Sequence, residues 1–216
     1  MTANKSSYID TDVVLKIGGY REEKLLGKIL LSFGYTLYIH EYLVKEELIS
    51  GGIAKEQLDE MITRKEVEII RESDLSKEEL FEYRSTLSLL AQEMGVDLLK
   101  TRDHNGGEVR SMAMAFTKDA EYFISDDVDT RVAAKKHLQK LDGTYLETIK
   151  MKDIITHIKN NSERMGISRK IAKKLYLNGT NPKLALNSSE KTLLESINGR
   201  LKKEFDYVLW PVDELT

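Results

Sequence analysis

The chain contains no cysteine and only two prolines. Without cysteine there can be no disulfide framework, thiolate zinc site or thiol nucleophile. With proline so scarce and 13 glycines in 216 residues, collagen-like and linker-rich architectures are excluded as well. Long apolar runs are also missing. Ile29-Leu30-Leu31 is one short run, against the roughly 20 residues that a membrane-spanning helix needs. Residues 1–8 are polar and lack the apolar segment of a signal peptide. The expectation is a soluble protein of the cytoplasm with no membrane partner. Nor does one sign of charge dominate: 33 Lys and Arg face 36 Asp and Glu, a net of −3. That rules out a uniformly basic nucleic-acid coat but leaves room for a local basic patch.

Hydrophobic residues make up 41% of the chain and charged ones 32%. This is enough apolar content for a core, and the length suits one large domain or a domain with an appendage. Residues 8–15, Tyr8-Ile9-Asp10-Thr11-Asp12-Val13-Val14-Leu15, are rich in β-branched side chains and read as a first strand. Apolar positions 25, 26, 29, 30 and 33 predict a helix over 22–33. A second strand is expected at 35–39 and a helix at 40–49. Between 55 and 84, 16 of 30 residues are charged, which predicts one or two solvated helices. Ser76 and Glu79 form a capping box for a helix reaching about Met94.

A third strand is expected at Gly95-Val96-Asp97-Leu98-Leu99, then a loop at Asp103-His104-Asn105-Gly106-Gly107. Glu108 opens a helix with a small-residue face. A fourth strand at 121–125 ends at Asp126-Asp127, a helix covers 130–141, and a fifth strand covers 144–149. Strands alternating with helices predict an α/β fold around a mainly parallel sheet. Residues 152–203 hold 12 basic and 4 acidic side chains, a net of +8, whereas residues 1–151 carry a net of −7. Strand alternation stops at the same point, so a boundary is expected near residue 150.

In an open parallel sheet, ligands bind at the carboxyl ends of the strands. The first strand carries Asp10 and Asp12 there, and the fourth carries Asp126, Asp127 and Asp129. Glu108 begins the helix between strands three and four, and Glu46 and Glu47 lie on the helix after strand two. Each acid alone has a structural reading. Asp10 and Asp12, or Asp126 and Asp127, would cap the turns that follow them; Glu108 would favour a helix dipole; Glu46 would sit on a solvated face. Taken together they converge on one mouth, where like charges need a compensating cation. All-oxygen donors suit Mg²⁺ or Mn²⁺, and such a cation suits phosphodiester hydrolysis.

Ile9-Asp10-Thr11-Asp12-Val13-Val14-Leu15, Gly107-Glu108 opening an Ala-rich helix, and Ile124-Ser125-Asp126-Asp127 followed by Arg131 and Ala134 resemble the PIN-domain family. The spacing of Glu46 after strand two fits as well. The resemblance covers residues 6–150 and implies a three-layer α/β/α sandwich with a mainly parallel sheet. Residues 151–216 would then form a basic, mostly helical C-terminal extension. It also implies a Mg²⁺- or Mn²⁺-dependent endoribonuclease that hydrolyses phosphodiesters with metal-activated water, leaving 3′-hydroxyl and 5′-phosphate ends. Asp10, Glu46, Glu108 and Asp126 would be the catalytic, metal-binding acids. Asp12, Asp127 and Asp129 would be accessory, and Glu47 is an alternative to Glu46. RNA would be the substrate; single-stranded DNA, an inhibitory protein partner and a homodimer stay open. The segment 47–107 and the extension are both long for the compact toxin members of that family.

The same first motif resembles haloacid-dehalogenase-like phosphatases, where the first Asp is the nucleophile and the second the acid/base. That family also needs a Ser or Thr and a Lys at strand ends. Here Ser32 lies within a predicted helix, and Lys100 is the candidate lysine. A third reading is a nuclease-like module that binds RNA or protein without cleavage. In the extension, Arg169, Lys170, Lys173 and Lys174 span about 140° of a helix, with Ile171, Ala172, Leu175 and Tyr176 opposite. This face either tracks phosphates or is an ordinary solvated surface. Trp210 and Pro211 are expected to anchor the C-terminus.

Overall fold

In the computed structural model, residues 5–20, 24–100, 103, 105–179 and 188–211 are described. His104 of the predicted loop lies outside them. The chain divides into two compact units, Met1–Lys150 and Met151–Thr216.

The first unit is α/β, built on a five-stranded, all-parallel sheet of order β3-β2-β1-β4-β5. The strands are β1 (Ser6–Ile9), β2 (Thr36–His40), β3 (Val67–Ile70), β4 (Tyr122–Ile124) and β5 (Glu147–Ile149). The helices α1 (Thr11–Gly18), α2 (Leu25–Ser32) and α3 (Gly52–Thr63) connect β1 to β2 and β2 to β3 and pack on one another. A second set, α4 (Lys77–Met94), α5 (Gly106–Thr117) and α6 (Val128–His137), leads to β4 and β5 and is likewise mutually packed. Parallel crossovers are almost always right-handed. Connections running towards β3 and those running towards β5 therefore cover opposite sheet faces, an arrangement compatible with a three-layer sandwich.

Local chemistry holds the helices to one another on one side and to the sheet on the other. Gly18 of α1 meets Ala54 of α3 so closely that a Cβ at position 18 would lie 2.9 Å from the Ala54 Cα. Beside it the buried Gln57 donates to the carbonyls of Gly18 (2.7 Å) and Tyr20 (2.9 Å) and accepts from the Leu26 N–H (3.1 Å). It thus satisfies groups at the end of α1 and the start of α2 that their helices leave unpaired. On the other side, Tyr8, Tyr83, Val109, Met112, Phe123 and Leu138 belong to one buried apolar cluster.

The structure corrects the sequence reading at three places. Residues 8–15 are not one strand. β1 stops at Ile9, and the Asp10 carboxylate caps α1 by accepting from the Thr11 N–H at 2.8 Å. The β-branched Val13 and Val14 serve the buried face of that helix instead. Gly95–Leu99 forms no strand: Gly95 closes α4 in the left-handed conformation (φ 66°) and Leu99 is exposed. The third strand is Val67–Ile70, inside the highly charged segment. It is an edge strand with only Val67 fully buried, and such a strand tolerates alternating charge. The Ser76–Glu79 capping box is formed as expected, and α4 ends at Met94.

The second unit is helical: α7 (Met151–Asn160), α8 (Ser162–Met165), α9 (Arg169–Gly179), α10 (Ser188–Glu204) and a π-helical turn at Phe205–Leu209. Ile154, Ile155 and Ile158 of α7 are buried, as are Ala172, Leu175 and Tyr176 of α9. The Phe205 ring lies 6.0 Å from Tyr176 and 6.1 Å from Trp210, so Trp210 helps close this small core. Among the described residues no helix is long and apolar enough to cross a membrane.

Candidate active site

Parallel register fixes the height of the strand ends. Ile9 is level with Ile124, and Ile124 with Ile149. Asp10 therefore emerges beside Ser125, its N–H donating to the Ile124 carbonyl at 3.0 Å. Strand order also reverses at β1, with β2 and β3 to one side and β4 and β5 to the other. The carboxyl edge at such a reversal is where open α/β sheets form their ligand crevice. A cavity of about 770 Å³ lies here, and seven of its lining side chains are acidic: Asp10, Asp12, Glu46, Glu47, Asp103, Glu108 and Asp127. Among the described residues, no Lys or Arg lines it.

Each acid arrives by a distinct local device. Asp10 is the N-cap of α1 and Asp12 lies in its first turn. Glu46 and Glu47 come from a π-helical turn, Leu43–Glu47, which tightens into a 3₁₀ turn at Leu48–Ser50. π-Turns are rare and concentrate at functional sites. Here the turn lets two successive glutamates line the same cavity, so the structure brings both Glu46 and Glu47 to it. Glu47 accepts from the Thr11 hydroxyl at 2.7 Å. It rests on Gly107, where a Cβ would overlap both the Glu47 carboxylate and the Leu43 side chain. Glu108 stands in the first turn of α5, whose positive helix end favours a carboxylate. Arg110 holds the approach to α5, donating to the carbonyls of Gly106 (2.8 Å) and Leu98 (3.2 Å) with its guanidinium 4.3 Å from the Tyr42 ring centre.

Two of these acids are buried together. Asp10 accepts from the Thr11 N–H and, at 3.3 Å, from the Ser125 hydroxyl. Burial nevertheless holds its pKa well above the ordinary carboxylate value, and the neighbouring Glu108 and Asp12 add to the effect. Burial, then the charge of Asp127, pushes Glu108 up to about 7. Asp10 and Glu108 line the same cavity, and the charge of Glu108 adds to the rise at Asp10, so both carboxyl groups hold their protons to higher pH than an ordinary carboxylate.

Asp126 and Asp129 stand apart from the cavity lining. Asp126 is ion-paired to Lys16 at 3.0 Å, and the same ammonium holds Asp12 at 2.8 Å. Asp127 lines the cavity while capping α6, accepting from the N–H groups of Asp129 (2.6 Å) and Thr130 (3.0 Å). Asp129 is exposed in the first turn of α6. Asp103 is an acid that sequence reasoning passed over; its only signal was its place in a turn-rich loop two residues before Asn105. Thr11 and Ser125, which orient Glu47 and Asp10, gave no signal beyond adjacency to the acids.

In the second unit the basic residues of α9 divide into two pairs. Arg169 and Lys173 are partly buried and hold Asp206 of the π-turn, at 3.4 and 2.6 Å. Lys170 and Lys174 are exposed.

The donor set around the cavity is all oxygen and suits a hard divalent cation in kind. Asp12 Oδ1 is buried with no hydrogen-bond donor, a lone-pair site that a cation would satisfy. As the side chains stand, no three His, Asp or Glu groups among the described residues are gathered to hold one ion. Glu47 is turned to Thr11, Asp12 to Lys16, and Asp10 to the Thr11 N–H and the Ser125 hydroxyl. Binding a cation at Asp10 and Glu108 therefore requires them to give up the protons that burial favours. In comparisons with known proteins, no family model, no curated protein and no solved structure matches the chain.

Proposed function

We propose that the first unit is a PIN-like, divalent-metal-dependent nuclease that hydrolyses phosphodiester bonds in RNA. The observation that carries this reading is the acid-lined cavity at the reversal of strand order, with the buried Asp10 and Glu108 held above their ordinary pKa. A structural cluster of acids would spread apart or pair with Lys and Arg. Here Asp12 is ion-paired to Lys16, but the roughly 770 Å³ cavity that the other carboxylates also crowd has no Lys or Arg in its lining among the described residues, an arrangement that a cation relieves.

Asp10, Glu108 and Asp127, with Glu46 or Glu47, would hold Mg²⁺ or Mn²⁺. The cation would neutralise charge growing on the phosphodiester and acidify a water molecule. The chain's own contribution is positioning. Thr11 and Gly107 seat Glu47, Ser125 and the Thr11 N–H orient Asp10, and Glu108 is placed to accept or return a proton near neutral pH. The choice of RNA rests on the sequence resemblance. The exposed Lys170 and Lys174 of the basic extension add phosphate contacts of the kind that such a substrate needs.

The phosphatase reading has less behind it. Asp10, its nucleophile, is only 1% exposed and already accepts two hydrogen bonds. The test is cleavage of labelled RNAs and single-stranded DNAs by the purified chain with Mn²⁺, with Mg²⁺ and with EDTA. Metal-dependent cleavage lost in Asp10→Asn and in Glu108→Gln is the expected result. Cleavage unchanged by both substitutions would overturn the reading.

A further inference from the structure

Lys16 sits between two of the acids that the resemblance assigns to metal. It lies one helical turn after Asp12 on α1 and reaches across to Asp126 after β4, with Nζ 2.8 Å from Asp12 Oδ2 and 3.0 Å from Asp126 Oδ2. The three side chains are 24%, 30% and 18% exposed, so this cation is partly sheltered between its partners and is not a loose surface lysine. Asp12 divides its carboxylate: Oδ2 goes to Lys16, while Oδ1 is buried and has no donor. Two-metal nucleases place their ions roughly 3.5–4 Å apart, bridged by shared carboxylates. A second ion joining Asp12 to Asp126 would need the place that the Lys16 ammonium occupies, and two cations there would repel.

We propose that Lys16 is a resident cation that takes the place of a second divalent ion, so that the site binds a single Mg²⁺ or Mn²⁺. The inference rests on the metal-centre reading above and adds its stoichiometry. Asp12 and Asp126 are neutralised in part by the protein itself. Asp10, Glu108 and Asp127, with the glutamates of the π-turn and the unengaged Oδ1 of Asp12, are left for one ion. An ammonium is a point charge with three donors. Two are engaged by the carboxylates, and the third can meet a phosphate oxygen that a second metal would otherwise hold.

The test counts ions rather than turnover. Mn²⁺ is titrated into the full chain, and free Mn²⁺ is followed by its electron paramagnetic resonance signal. Wild type is expected to bind one ion with an uncoupled spectrum. Lys16→Gln is expected to bind two, and Lys16→Arg, which keeps the charge, one. Should Lys16→Gln fail to fold, Lys16→Met, which keeps the aliphatic stem, is counted in its place. Two ions in wild type, or one ion in every variant, would overturn the inference while leaving the metal centre standing. No ion bound by wild type would overturn the metal centre itself, and the inference with it.

Discussion

Asp10 and Glu108, both buried, line one cavity from two different elements, Asp10 capping α1 and Glu108 in the first turn of α5. Burial raises both, and Glu108 reaches about 7. Two carboxyl groups held this way cost the fold stability once both must ionise. The structure carries that cost at one place, where the sheet presents its strand ends.

The first prediction follows from that cost. Glu108 is near 4.5 when unfolded and about 7 when folded. The folded state therefore holds the proton more tightly, and stability falls as pH rises through this window. Glu108→Gln removes the loss. At pH 8 without metal, this variant should be more stable than wild type by about 3 kcal/mol, roughly 6–12 °C in melting midpoint for a chain of this size. A thermal melt in EDTA checks it; an unchanged or lower midpoint contradicts it.

His40 gives a slope of the opposite sign. Its Nδ1 accepts from the Tyr42 N–H (3.1 Å), which leaves the proton on Nε2, facing the Tyr83 hydroxyl at 3.3 Å; that hydroxyl donates to Glu72 at 3.2 Å. Burial lowers the His40 pKa from 6.5 to about 4. Between these values the unfolded chain binds a proton that the folded chain refuses, so stability is lost as pH falls from 6.5 towards 4. Melts of Glu108→Gln across this range should show the decline free of the Glu108 effect. Adding His40→Asn, which keeps an acceptor for the Tyr42 N–H, should flatten it.

Gly107 is required by contact, not by backbone conformation. Gly107→Ala drives a methyl into the Glu47 carboxylate and the fully buried Leu43. Overpacking of this kind costs about 1–3 kcal/mol, more than a glycine-to-alanine exchange gains in a helix. A lower melting midpoint together with weaker Mn²⁺ binding is expected. An unchanged affinity would remove Glu47 from the metal site.

The basic face of α9 should behave as two separate pairs. Lys170→Ala with Lys174→Ala should weaken RNA binding and lower the salt dependence by about two phosphate contacts, with little change in stability. Arg169→Ala or Lys173→Ala should instead loosen the Asp206 contact and lower the stability of the helical unit. Filter binding at several salt concentrations, beside circular dichroism melts, separates the two pairs.

Signals written in neighbouring residues could be read from the sequence. The Ser76–Glu79 box, the small-residue α5 and the strand ending at Asp126-Asp127 all lie in local pattern. The acids Asp10, Glu108 and Asp127 could be found because a parallel sheet gathers its strand ends. What could not be read depends on distant partners. Val13 and Val14 look like strand residues until the Asp10 cap turns the chain into a helix. Val67–Ile70 looks like part of a charged helix until it pairs with β2. That Asp127 lines the cavity while Asp126 pairs with Lys16, 110 residues away in sequence, depends on tertiary contacts that no local pattern carries. The joint use of Glu46 and Glu47 needs a π-turn, which has no sequence period of its own.

The most direct test of the metal centre is calorimetric titration of Mn²⁺ into wild type in buffers of different ionisation enthalpy, which counts the protons released. If Glu108 holds a proton that a cation must displace, binding at pH 6.5 should release up to about one proton from it, and that release should shrink as pH rises past the Glu108 value. Glu108→Gln should weaken binding and remove the release. Mn²⁺ that fails to bind, or that binds with no proton release and with equal affinity in Glu108→Gln, would contradict the account.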